Sequence, residues 1–193
     1  TLIDEKKAEN ADAFLFDAGD FSMGTLVQTI FMEEAAELRM LGALGCDVTT
    51  FGNHEFDYRS QGLAKMLKSA AANTDRVPAI ALCNVDWERM EKDGLTDEQQ
   101  MLKEAFEGYG ISDYVIVQKG NIKIAVIGVF GEDSLKCAPT CVLKFKSAPE
   151  AVRETIESIR ANESDVDMIV CVSHSGTNKD IKRSEDEILA KEV

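Results

Sequence analysis

At 193 residues, 45% of them hydrophobic and 29% charged, the chain has the length and composition of one globular domain with a real core. Its 35 acidic against 21 basic residues leave a net charge of −14, which repels phosphate backbones and anionic membranes and so excludes general nucleic-acid binding. No apolar run reaches the roughly 18 residues of a transmembrane segment, and the charged opening "TLIDEKKAEN" lacks the apolar centre of a signal peptide.

In chain order, "AFLFDAGD" (13–20) opens as a short apolar run and predicts a buried strand ending in a turn. Val27, Ile30, Phe31, Ala35, Leu38 and Leu41 recur at helical spacing and predict one amphipathic helix that Gly45 ends. "CDVTTFG" (46–52) reads as a second strand, Leu63, Met66, Leu67 and Ala70 mark a second helix, and "AIALCNV" (79–85) reads as a third strand. The polar stretch 88–110 is expected to be a surface excursion with a short helix starting at Thr96. "YVIVQKGNIKIAVIGVF" (114–130) predicts a hairpin turning at Gly120-Asn121. Ser147 with Glu150 and Ser184 with Glu187 read as capping boxes opening two more helices, with the strand "MIVCVSH" (168–174) between them.

Strands and helices alternate first and a hairpin follows, which argues for α/β layers in one domain. Cys46, Cys83 and Cys171 lie in apolar runs and are expected to pack as buried thiols. Cys137 and Cys141, in "KCAPTC", either close a small ring or stay free, and no second pair of ligands nearby suggests a zinc ribbon.

Three strands end in polar residues: Asp17-Ala18-Gly19-Asp20, Gly52-Asn53-His54-Glu55 and Ser173-His174-Ser175-Gly176. In layered α/β folds, ligands bind where the carboxyl ends of strands open into loops. Both of the chain's histidines sit at such ends. One carboxylate, one amide oxygen and one imidazole form a donor set suited to a divalent metal, which would also offset the negative field against an anionic substrate.

"LFDAGD", "TTFGNHEFD" and "VCVSHSG", in that order, resemble successive motifs of the calcineurin-like metallophosphoesterases. More narrowly they resemble the branch of 5'-nucleotidases, UDP-sugar hydrolases and 2',3'-cyclic phosphodiesterases. The resemblance implies a four-layer αββα sandwich binding two divalent ions (Mn, Zn, Fe or Co) about 3.5–4 Å apart. It implies that Asp20 bridges both ions, that Asn53 and His174 bind the second, and that His54, oriented by Asp57, acts on the phosphoryl group. The implied substrate is a small phosphate ester of nucleotide type. The implied location, extracellular, cell-surface or periplasmic, rests on the same analogy.

Two expected motifs, Asp-x-His at the start and Gly-His-x-His at the end, do not occur in these 193 residues. The chain therefore reads as the central part of a catalytic domain, lacking the first and last motif strands. It is expected to bind at most one ion, weakly, to lack turnover alone, and to self-associate through uncovered sheet edges. The alternative is a non-catalytic binding module that kept the fold.

Overall fold

The structure is a computed structural model and describes residues 2–24 and 26–193. Two sheets face each other. In the first, the extended segment around Phe16 runs parallel beside β1 (Val48–Thr49), held by Asp47 N to Leu15 O at 2.8 Å and Asp17 N to Val48 O at 3.0 Å. β2 (Ala79–Ile80) pairs parallel on the other side of β1. The second sheet has the order β3 (Tyr114–Lys119), β4 (Ile122–Phe130), β5 (Met168–His174), with β3 and β4 antiparallel and β4 and β5 parallel. The hairpin turns at Gly120-Asn121, with Gly120 at φ 54° and Lys119 opposite Ile122.

The alternation of side chains along β4 sorts the layers. Ile124 and Val126 face inward with Val170 and Val172 and meet Val48, Ala81, Phe14 and Phe16 of the first sheet. Ala125, Ile127 and Val129 face outward against Val152, Ile156 and Ile159 of α8 (Ala148–Asn162) and Leu189 of α9 (Glu185–Glu192). The far side of the first sheet, Phe51, Ile80 and Leu82, is covered by Leu63, Met66 and Leu67 of α4 (Arg59–Ala72) and Leu102 and Phe106 of α6 (Asp97–Tyr109). Helix, sheet, sheet, helix: the αββα arrangement is present.

The sheets approach so closely at Gly128 that a Cβ there would collide with the Ala81 carbonyl. Cys83 N donates to Gly128 O at 2.9 Å in the same crossing. Gly128→Ala is expected to destabilise the fold by about 3 kcal/mol, because backbone rather than a flexible side chain must yield. Urea unfolding of the variant measures this, and a loss below about 0.5 kcal/mol would mean that the sheets part readily.

Several expectations need correction. The helix expected through 27–41 is broken into a 3-10 turn (Leu26–Ile30), α2 (Phe31–Glu34) and α3 (Ala36–Leu44), with Ala35 left-handed at φ 45°. The apolar repeat reported burial only in part: Phe31, Ala35 and Leu38 are at most 1% exposed, whereas Ile30 is 45% exposed and Val27 and Leu41 are half-buried. It could not report backbone continuity, because neither glycine nor proline marks the break. Residues 88–110 are no surface excursion. They form α5 (Trp87–Asp93) and the thirteen-residue α6, opened by a reciprocal Thr96/Gln99 capping box. Leu102, Ala105 and Phe106 bury a narrow apolar stripe in an otherwise polar helix.

α8 and α9 begin where the serines indicated, but neither serine makes a capping hydrogen bond. Ser184 Oγ instead accepts from Asn178 N at 3.0 Å. All five cysteines are free thiols. Cys46 and Cys83 are buried as expected, whereas Cys171 is exposed, because it lies on β5, the end strand of its sheet. The remaining helices are α1 (Leu2–Glu9) and α7 (Glu132–Lys136).

Candidate active site at the strand ends

The three polar strand ends meet at one edge of the two-sheet stack. The chain leaves the first extended segment through Gly19 and enters Asp20 in the left-handed region, φ 60°, a conformation that aspartate tolerates better than most residues. Asp17 shapes this turn by accepting from Gly19 N at 3.0 Å and from Thr49 Oγ1 at 2.6 Å. After β1 the chain reaches Gly52, where a Cβ would collide with Asp20 Oδ1 and lie 2.7 Å from the His174 ring. Glycine at 52 is the condition for the two loops and β5 to come together.

Asp20, Asn53 and His174, 33 and 121 residues apart along the chain, face one another. His174 Nε2 lies 3.4 Å from Asp20 Oδ2 and 3.3 Å from Asn53 Oδ1. The other ring nitrogen, Nδ1, is 2.7 Å from the Ala18 carbonyl, which only accepts, so Nδ1 carries a proton. In the neutral imidazole Nε2 is then a lone pair facing two oxygen acceptors. Three acceptors around one point repel one another unless a cation or a hydrogen-bond donor lies among them, and a divalent metal ion is one such cation. Among the described residues no group of three or more His, Cys, Asp and Glu side chains is gathered for a metal. This cluster has two such groups and an amide.

The imidazole of His174 lies nearly parallel to Phe130, 12° between planes and 6.3 Å between centroids. Phe130 is fixed in turn by buried Asn84, whose Nδ2 donates to Phe130 O at 2.8 Å and whose Oδ1 accepts from Phe130 N at 3.1 Å.

His54 opens a 3-10 turn (His54–Phe56), its backbone N–H donating to Asp20 Oδ1 at 3.0 Å. Its Nδ1 is 2.8 Å from Asp57 Oδ2, which leaves Nε2 as the ring nitrogen available to a ligand. The Asp57 hydrogen bond raises the His54 pKa above 6.5, against a smaller opposing effect of burial, and the charges of Asp20 and Glu55 add to the rise. Folding therefore favours the imidazolium. This contribution is complete below pH 6.5 and is lost as pH rises through the higher folded value. Asp57→Asn is expected to move the His54 midpoint down in an NMR titration; an unchanged midpoint would separate the two side chains in solution.

Glu55, for which no role was expected, is fully buried. Its Oε2 accepts from Gly52 N at 2.6 Å and Asp20 N at 2.9 Å, and its Oε1 from Ser22 N at 3.0 Å. Burial pushes this carboxyl above the usual range, while the three N–H donors pull it back. One carboxylate thus joins the loop carrying Asp20 to the loop carrying Asn53.

No family model matches the chain. It is 31% identical to the trifunctional nucleotide phosphoesterase protein YfkN of Bacillus subtilis, an alignment covering 100% of this chain and 14% of that protein. It is 30% identical to a 5'-nucleotidase-related protein of Glossina morsitans morsitans, over 93% of this chain and 29% of that one. The crystal structure of a 5'-nucleotidase precursor from Thermus thermophilus superposes with a TM-score of 0.69 at 25% identity, over 94% of this chain and 31% of the other. The chain thus spans less than a third of the length of these relatives. With its layers, its strand-end motifs and these likenesses taken together, the chain belongs to the 5'-nucleotidase branch of the calcineurin-like metallophosphoesterase superfamily.

Proposed function

We propose that residues 1–193 are the central part of one catalytic domain of a metal-dependent phosphoesterase acting on nucleotide-type phosphate esters. The observation that carries this reading is the convergence of Asp20, Asn53 and His174 on one point, with Asp20 Oδ2, Asn53 Oδ1 and His174 Nε2 turned toward one another. Two ligands each about 2.1 Å from a tetrahedral ion lie about 3.4 Å apart, and the two separations at His174 Nε2 are 3.4 and 3.3 Å. The donor set suits Mn, Zn, Fe or Co. Family membership implies divalent ions, and the names of the relatives support a nucleotide as the substrate class.

When bound, such ions acidify a water and neutralise charge on the phosphoryl oxygens. The chain's own residues do the rest. Asp20 offers Oδ2 to the site while His54 N holds Oδ1, so the carboxylate cannot swing away. Asn53 adds a neutral oxygen, and the Ala18 carbonyl fixes the His174 tautomer that turns a lone pair inward. His54, held by Asp57, stabilises charge developing on the phosphoryl oxygens or gives its proton to the leaving oxygen.

The test is phosphate release from a nucleoside 5'-monophosphate. The longer protein is expected to hydrolyse it with Mn²⁺ present and to stop when the metal is chelated. The 193-residue chain is expected to bind Mn²⁺ weakly and to show no turnover. Robust hydrolysis by the isolated chain would overturn the fragment reading. An inert, metal-loaded longer protein would make the domain a non-catalytic module.

The parent protein is assigned outside the cytoplasm, by analogy with a relative described as a precursor. Among the described residues no helix is long and apolar enough to cross a membrane. β5 is an end strand of its sheet and Met168 on it is exposed, so this chain is expected to self-associate. Sedimentation velocity across a concentration series checks this, and a constant monomer would count against it.

A further inference from the structure

The first turn of α9 grips the turn that carries His174. Asp186 Oδ1 accepts from Ser173 Oγ at 2.7 Å and Oδ2 from Gly176 N at 2.9 Å, while Asp186 N donates to Gly176 O at 3.1 Å. These bonds bracket His174 from both sides along the chain. The neighbouring Glu185 accepts from Glu132 N and Asp133 N, each at 2.9 Å, at the start of α7. That region in turn holds the His174 carbonyl, through Ser134 Oγ at 2.8 Å and Gly131 N at 2.9 Å.

A carboxylate in the first turn of a helix ordinarily serves that helix's own amides. Both Asp186 oxygens point to the β5 turn instead. We propose that Asp186, supported by Glu185, is a positioning residue for His174, holding the backbone so that Nε2 stays beside Asp20 and Asn53. The proposal rests on the reading of His174 as a metal ligand, but its geometry can be tested without metal.

The chain's two histidines make the experiment simple. In ¹⁵N-histidine-labelled, metal-free chain, the His174 Nδ1 proton held by Ala18 O is expected to exchange slowly, with His54 as internal control. In Asp186→Asn, whose amide cannot accept from both donors, that proton is expected to exchange faster while the His54 signals stay in place. Leu189→Ala, a core loss in the same helix, is expected to lower Tm and leave His174 unmoved. In the longer protein Asp186→Asn is expected to weaken Mn²⁺ binding about 10-fold, as supporting residues of metal ligands commonly do.

Exchange at His174 that is unchanged in Asp186→Asn, or disturbed equally by Leu189→Ala, would overturn the proposal. Should Asp186→Asn fail to fold, Ser173→Ala removes one of the two contacts and carries the same test. A wild-type site that binds no Mn²⁺ while His174 still depends on Asp186 would sink the metal reading and leave the positioning role standing.

Discussion

Replacing Glu55 by alanine is expected to lower folding stability by about 4 kcal/mol, near the top of the range for single substitutions. The side chain is fully buried and makes no contact with solvent that could soften the loss. Its removal strands three backbone N–H groups, on Gly52, Asp20 and Ser22, inside a packed turn. Each unsatisfied buried donor costs about 1–3 kcal/mol, and a cavity is left where the carboxylate was. Glu55→Gln keeps the shape and at least one acceptor, so it is expected to lose about half as much. Urea unfolding, with the m-value checked for two-state behaviour, gives both numbers. A loss below about 1 kcal/mol in Glu55→Ala would mean that water reaches these amides, and that the two loops are not tied through this carboxylate.

The same residue shows what a sequence does and does not disclose. Asp20, Asn53 and His174 stood out because each follows a strand-like run, and strand ends are where α/β folds place ligands. Glu55 sits in the middle of the same motif, yet of its three partners only Gly52 lies there, while Asp20 and Ser22 are 35 and 33 residues upstream. Nothing within the motif says that its acidic side chain turns inward. Asp186 was hidden for a related reason: its helix was recognised from Ser184 and Glu187, the two residues that make no capping bond there.

At the level of elements, the hairpin and β5 were legible because long apolar runs bounded by turn residues leave few options. Thr96 marked the start of α6, but its length and burial were hidden, since Leu102, Ala105 and Phe106, with Met101 and Tyr109 packed beside them, are scattered among polar residues. The break at Ala35 is a tertiary decision. α2 ends there with Phe31 stacked on Tyr58 at 5.4 Å, and α3 sets out in a new direction while the apolar spacing runs on undisturbed.

Asp20→Asn carries the largest expected functional effect. Asparagine tolerates the left-handed backbone at φ 60°, and its Oδ1 still accepts from His54 N, so the turn survives the change. What disappears is the negative charge and one of the two carboxylate oxygens, the one 3.4 Å from His174 Nε2. Among the described residues, the only carboxylate in contact with His174 Nε2 is thereby neutralised. Mn²⁺ affinity is expected to fall at least about 100-fold, beyond the 10–100-fold typical of supporting residues. Hydrolysis by the longer protein is expected to fall by about 10³-fold or more, since both the cation and the orientation it provides are lost together. Titration calorimetry on both proteins, with chemical shifts of the His54 amide as a check on the fold, separates the charge effect from misfolding. If Asp20→Asn binds Mn²⁺ as tightly as the wild type, the cation does not sit between Asp20, Asn53 and His174. The groups gathered there would then be held together by hydrogen bonds and not by a metal, and the cluster would be a structural network at the end of β5.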